Sequence, residues 1–329
     1  MKAFTYYNAK NVQDAVAALG DSGRDSRPLA GGTDLLGEIK NRYIAPDRLV
    51  NLKSIKGLDR ITYSSSDGLT LGSLVTLAEI ARNKRILSLY PALAEAAESV
   101  GVPQLRNMGT IGGNLCQRPR CWYYRGEEYP CLRKGGNKCY AVSGRSKYHC
   151  IIDGGPCFIV HPSDIAPALM AYTAGVTVAS AKSVRKVGLD DFFILPVNDA
   201  TRENILEPGE IITEITVPPP AGNRKSCYLK FKERESRDFA LVGAAVVLEM
   251  GGSLCRRASI VLSGVSPAPH RSSAAEKALS GQRLNLAVVE KAAEAAVADA
   301  EPLEENGYKI TLTKTILKRA ILRAAGIKV

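Results

Sequence analysis

Read for the spacing of apolar and polar positions, the first fifty residues predict a small β-α-β-α-β unit. Lys2–Tyr6 reads as a strand, and Val12–Leu19 as a helix with Asn11 placed to cap it. Arg27–Ala30 is a second strand that runs into the glycine pair Gly31-Gly32. A helix follows from about Thr33 to Asn41, and Arg48–Leu52 supplies a third strand. From Asp59 onward the pattern predicts a strand at Leu69–Leu74, helices at Leu77–Arg82 and Ala92–Ser99, and a long glycine-bearing loop at Gly101–Asn114. A cysteine-rich stretch then interrupts the pattern until Phe158–Ser180, which reads as a short strand, a helix and another strand.

Beyond the proline-rich Val217–Gly222 the character changes. Cys227–Glu233, Phe239–Met250 and Ala258–Val265 predict three strands, the middle one so uniformly apolar that both its faces need cover. Helical stretches follow at Ser273–Leu279, Leu286–Ala298 and Leu312–Ala325. The last carries Leu312, Ile316, Leu317, Ala320, Ile321 and Ala324 on one stripe. Strands followed by helices predict a separate α+β domain. The expected organisation is α+β, in units of about 1–55, 56–220 and 221–329.

A chain of 329 residues is long enough for two or three cores, and 45% hydrophobic with 23% charged residues argues for folding rather than disorder. The longest uncharged run, Ile165–Ala181, is interrupted by Pro167 and Gly175, so no membrane span is expected. The opening residues lack the apolar stretch of a signal peptide. The expected compartment is the cytoplasm, with any export left to a signal on a partner chain. The net charge of +11 raises nucleic acid as a partner, but no recognised binding module accompanies it, and none is expected to bind. Much of the charge is local: Gln117–Cys150 holds eight basic side chains against two acidic ones.

That basic stretch also holds cysteines. Of eight in the chain, Cys116, Cys121, Cys131, Cys139, Cys150 and Cys157 crowd together, whereas Cys227 and Cys255 stand alone as small buried hydrophobes. A disulfide framework does not suit a leaderless chain. Structural zinc favours closely spaced pairs, which are missing here. An iron–sulfur cluster accepts wider spacing, and basic neighbours would help neutralise it. Free thiols, zinc and a cluster all remain open on spacing alone. Trp122, Tyr123 and Tyr124 are placed to shield such a site.

Two segments have the chemistry of a diphosphate cradle. Leu29–Leu36 turns from strand to helix through Gly31 and Gly32, whose missing side chains let backbone N–H groups approach an anion. Thr33 adds a hydroxyl, and Asp34 can hydrogen-bond or cap. Arg106–Asn114 offers Thr110, Gly112, Gly113 and Asn114. Neither matches the nicotinamide or nucleoside-triphosphate fingerprints. His149, His161 and His270 are dispersed, and no nucleophile–base set is expected.

AGGTDLL (Ala30–Leu36), RNMGTIGGN (Arg106–Asn114), HPSDIAPAL (His161–Leu169), ILEPGEIITEITVP (Ile205–Pro218) and VSPAPHR (Val265–Arg271) follow in this order. Together they resemble the flavoprotein subunit of the xanthine dehydrogenase and carbon monoxide dehydrogenase family, over nearly the whole chain. The resemblance implies a two-part FAD-binding region and a C-terminal α+β domain. It implies that Leu29, Ala30, Gly31, Gly32, Thr33, Asp34 and Leu35 bracket the FAD diphosphate together with Thr110, Ile111, Gly112, Gly113 and Asn114. Asp164 would contact the flavin side, Lys230 would lie near the ring, and Ile211 and Ile212 would pack backbone against it. On the residues alone, Asp164 reads as a helix cap and Lys230 as a solvated strand residue.

The cysteine stretch looks like that of the cluster-bearing branch, similar to the β subunits of 4-hydroxybenzoyl-CoA reductase and of bacterial aldehyde oxidoreductases. Carried over by position, the 4Fe-4S ligands are Cys121, Cys131, Cys139 and Cys157, the last seven residues before Asp164. Cys150 rivals Cys157. The resemblance also implies a molybdopterin-binding large subunit, a small subunit with 2Fe-2S clusters, and an external electron carrier such as ferredoxin or NAD. The expected role is an oxidoreductase subunit for electron transfer. A zinc-stabilised basic binding protein and a stand-alone flavin oxidoreductase are the competing expectations.

Overall fold

The computed structural model describes residues 1–327 except Asp21, Ser22, Arg24 and Ala221. The chain opens with β1 (Thr5–Asn8), α1 (Val12–Leu19), β2 (Ser26–Leu29), α2 (Leu35–Lys40) and β3 (Arg48–Asn51). The three strands pair in parallel in the order β1-β3-β2, which helical crossovers permit. Asn11 caps α1 by accepting the Asp14 N–H at 2.8 Å. Helix α2 starts later than the pattern suggests, because the turn through Gly32, at φ +71°, continues to Asp34.

A second, antiparallel sheet follows, built from β4 (Ile61–Ser64), β5 (Gly68–Gly72), β6 (Gly175–Ala179), β7 (Val184–Gly188) and β8 (Ile211–Val217) in the order β4-β5-β8-β6-β7. Between β5 and β6 run α3 (Leu77–Arg82), α4 (Lys84–Leu89), α5 (Pro91–Ser99), α6 (Pro103–Met108), α7 (Ile111–Leu115) and α8 (Ile165–Ala171). The expected glycine loop at Gly101–Asn114 is therefore mostly helical. Pro103 opens α6, and Thr110 caps α7 by accepting the Gly113 N–H at 3.2 Å. Each helix is too short to show a period. The strand expected ahead of α8 does not form, and Phe158–Ser163 runs irregularly into the helix.

The third sheet, β12-β11-β10-β9 with β13 also on β11, consists of β9 (Arg224–Phe231), β10 (Val242–Gly251), β11 (Leu254–Ser263), β12 (His270–Arg271) and β13 (Gln282–Arg283). With it go α9 (Ser273–Leu279), α10 (Leu286–Ala295) and α11 (Tyr308–Ala325). Successive residues of β10 point to opposite faces, and both faces are apolar. Ala244, Val246 and Leu248 pack in a core with Leu317 and Ile321 of α11. Ala245 and Val247 join instead the core that holds Leu93 of α5 and Leu169 of α8. One strand thus walls two cores. Among the described residues no helix is long and apolar enough to cross a membrane.

Candidate functional site: a flavin-sized cavity beside a cysteine segment

A cavity of about 500 Å³ lies where the turn between β2 and α2 faces α6 and α7, within the usual size of cofactor sites. Ala30, Gly31, Gly32, Thr33, Asp34 and Leu35 line it from one side, and Thr110, Gly112, Gly113 and Asn114 from the other. Asp164, Ile211, Ile212 and Lys230 complete the set. Two expected residues do not line it. Leu29 packs under the Gly32 turn, and Ile111 is wholly buried in the apolar core.

The two glycine turns differ in what they offer. The N–H groups of Gly31, Gly32, Thr33 and Asp34 have no acceptor among the described residues. Those of Ile111, Gly112, Gly113 and Asn114 are already taken, by Val75 O, Ser73 O, Thr110 Oγ1 and Thr110 O. The first turn therefore has free donors for an anion, and the second contributes closeness. A Cβ on Gly31 would lie 2.0 Å from the Met108 carbonyl oxygen, and one on Gly112 would lie 2.9 Å from that of Ser73. The turns meet backbone to backbone.

Deeper in, Lys230 is not solvated and Asp164 does not cap. Lys230 Nζ donates to Asp164 Oδ2 at 2.6 Å and to Ser99 O at 3.1 Å, and Tyr228 Oη donates to Asp164 Oδ1 at 2.7 Å. Both charged side chains are only 4% exposed. Burial, reinforced by the Asp164 charge, pushes the Tyr228 hydroxyl well above its ordinary range. The phenol stays a proton donor to the carboxylate.

The cysteine segment, Cys116–Cys157, contains little regular structure beyond the short turn Leu132–Lys134. Among the described residues, no group of three or more Cys, His, Asp or Glu side chains stands in metal-holding geometry. Four of its cysteines nevertheless act on one another electrostatically. The neighbouring Cys157 thiol brings Cys139 below its ordinary range against the effect of burial, while Cys139 and burial raise Cys157. Burial lifts Cys121 to about 11, with the Cys139 and Cys131 charges adding to the rise. Cys121 Sγ is also 3.2 Å from His149 Nε2. Cys150 is fully buried, and burial raises its thiol. Tyr123 and Tyr124 are buried nearby, whereas Trp122 remains 38% exposed and shields less than expected.

The segment is tied down at both ends. At its start, the Asp34 carboxylate accepts the Arg118 N–H at 2.7 Å, Arg125 Nη2 at 2.9 Å and the Arg120 guanidinium. Tyr124 Oη donates to Glu38 at 2.9 Å. Glu203 accepts Arg133 Nη1 at 2.7 Å and pairs with Arg118 Nε at 3.0 Å. Arg118 and Arg120 themselves line the cavity. At its end, Ser146 N donates to Glu305 at 2.7 Å, and Asn306 Nδ2 donates to the carbonyls of His149 and Cys150. Lys309 Nζ reaches Tyr148 O at 3.3 Å. Sequence reasoning passed over Arg118, Arg133 and Glu203. The only available signal was the density of basic residues, which does not say which of them is buried.

The Asp34 bridges carry a pH signature. Burial alone would raise this carboxyl, but the Arg120 and Arg125 charges and the Arg118 N–H outweigh it and bring it below its ordinary 3.8. A depressed folded value contributes stability fully above the unfolded value, and that contribution is lost as pH falls through the folded one. Asp34→Asn should therefore flatten the acid limb of the stability profile below about pH 4. Urea midpoints from about pH 7 down to about pH 3 would check this; equal acid sensitivity in both proteins would exclude the bridges as its source.

Comparison with known proteins matches this architecture. Residues 2–220 match the FAD binding domain in molybdopterin dehydrogenase, and residues 226–324 match the CO dehydrogenase flavoprotein C-terminal domain. The aldehyde oxidoreductase FAD-binding subunit PaoB of Escherichia coli (strain K12) is 33% identical over 98% of this chain and 99% of its own length. The carbon monoxide dehydrogenase medium chain of Hydrogenophaga pseudoflava is 29% identical over 97% of this chain and 96% of its own. A solved structure of carbon monoxide dehydrogenase from Hydrogenophaga pseudoflava superposes with a TM-score of 0.77 at 30% identity, covering 98% of this chain and 97% of that one. This chain belongs to the FAD-binding medium subunits of the xanthine dehydrogenase and carbon monoxide dehydrogenase family, and so is an oxidoreductase subunit.

Proposed function

We propose that this chain holds FAD in the cavity and a 4Fe-4S cluster on Cys121, Cys131, Cys139 and Cys157. In this role it passes electrons between the 2Fe-2S clusters of a small partner subunit and an external carrier, while substrate chemistry takes place at molybdopterin on a large partner subunit. The observation that carries the reading is adjacency. Arg118 and Arg120 line the cavity immediately ahead of Cys121, and the Cys139 and Cys157 thiols are close enough for each to shift the other's ionisation.

The free N–H groups of Gly31–Asp34 suit a diphosphate, whose charge they meet without an intervening side chain. Lys230 and Asp164, held by Tyr228, are the fixed charges on the ring side of the cavity. Leu74, Leu77, Ile211 and Ile212 keep water from the wall. Bound FAD would supply the exchange between paired and single electrons, and the protein would supply position and electrostatics. Cys157 is preferred to Cys150 as the fourth ligand because its thiol is the largest influence on Cys139.

Flavin, iron, acid-labile sulfide and zinc measured per chain of anaerobically purified protein would test this. About one flavin with four irons and four sulfides is expected. Cys157→Ser should lose most of the iron and keep the flavin, while Cys150→Ser should keep both. Flavin without iron would remove the cluster, and zinc in place of iron would make the segment a structural metal site.

A further inference from the structure

Among the described arginines of the cysteine segment, Arg133 alone is almost fully enclosed, its side chain 1% exposed. Its Nη1 is taken by Glu203, but Nε and Nη2 have no acceptor among the described residues. Buried donors are seldom left so, and two on one guanidinium point to an anionic neighbour. Arg133 lies in the short Leu132–Lys134 turn, which Cys131 opens. On its other side, Glu203, with a side chain 4% exposed, pairs with both Arg133 and Arg118. Arg118 borders the cavity and donates its N–H to Asp34 of the first glycine turn.

We propose that Arg133 is a positioning residue that sets the reduction potential of the cysteine-held cluster, with Glu203 fixing the guanidinium and offsetting its charge. The inference rests on the cluster reading above. Adding an electron makes a thiolate-bound centre more negative, so a buried cation with free donors beside it favours the reduced form and raises the potential. Glu203 opposes that cation. The same carboxylate also joins Arg118 at the cavity, so a change of charge at one site is felt at the other without bulk water between them.

The test is a redox titration of the cluster, read by electron paramagnetic resonance on the full chain with its partner subunits. Arg133→Gln should move the potential negative and Glu203→Gln should move it positive. Each shift should be at least about tenfold in the one-electron equilibrium constant, or about 59 mV. Arg133→Lys should restore most of the loss, and the double variant R133Q/E203Q should return near the starting value. General damage to the fold cannot produce shifts of opposite sign. Unchanged potentials, or two shifts in one direction, would overturn the proposal. If Arg133→Gln fails to retain iron, Glu203→Gln and Arg133→Lys decide, and a potential in E203Q that does not rise overturns it. Absence of iron from the unaltered protein would remove the cluster reading itself, and with it this inference, before any variant is compared.

Discussion

Gly31→Ala is expected to strip the protein of flavin, lowering its content at least about tenfold and removing the flavin absorption bands. The added carbon would lie 2.0 Å from the Met108 carbonyl oxygen, 2.8 Å from the carbon of that carbonyl and 3.1 Å from Gly109 Cα. All three are backbone atoms, so no side-chain rotation relieves the contact. Met108 and Gly109 join α6 to α7, and the two turns must separate to admit even a methyl group. Separation opens the cleft from which Gly31–Asp34 present their free N–H groups. Gly37 provides the control. It sits within α2, and a Cβ added there would have nothing within 4 Å. Gly37→Ala should keep the flavin and gain about 0.5–1 kcal/mol of stability. Full flavin content in Gly31→Ala would mean that the meeting of these turns does not hold the cofactor.

The second large effect is on stability. Lys230→Met is expected to destabilise the folded chain by about 3–5 kcal/mol, because it leaves the Asp164 carboxylate buried without its cation. The remaining hydrogen bond from Tyr228 does not neutralise that charge. Removing both charges together is a different matter. Burying a pair costs desolvation that its mutual attraction only partly returns, so K230M/D164L should recover most of the lost stability. Urea unfolding of the single and double variants would measure the difference. A loss below about 1 kcal/mol in Lys230→Met would place the pair with solvated surface bridges. The double variant also separates stability from function: a well-folded protein with diminished flavin affinity would assign the pair to the cofactor.

Elements whose sidedness repeats were legible from the amino-acid pattern. The apolar run in β10 signalled cover on both faces, and the structure supplies α11 on one and α5 with α8 on the other. Helix α1 announced itself through Asn11 and its apolar stripe. Where the pattern was too short it misled. The six- and five-residue helices α6 and α7 contain too few turns for a period to emerge, and their glycines suggested a loop. Asp164 and Lys230 show a different limit. Each looks ordinary in its own segment, and only the packing of β9 against α5, beside the start of α8, turns them into a buried pair. Arg133 and Glu203 are 70 residues apart, so no local spacing could join them. The glycine turns could be located from residue types, but which of them keeps free N–H groups depends on Ser73 and Val75 of the strand-to-helix connection.

The stitching of the cysteine segment to the start of α11 imposes an order in time. Ser146, Tyr148, His149 and Cys150 take their partners from Glu305, Asn306 and Lys309. A ribosome reaches those partners roughly 8–30 s after Cys150, at about 5–20 residues per second. The segment's last hydrogen bonds therefore wait for the start of α11 to be synthesised. In the nascent chain it is anchored first through Asp34 and Glu38, and fastened only once Glu305, Asn306 and Lys309 have emerged.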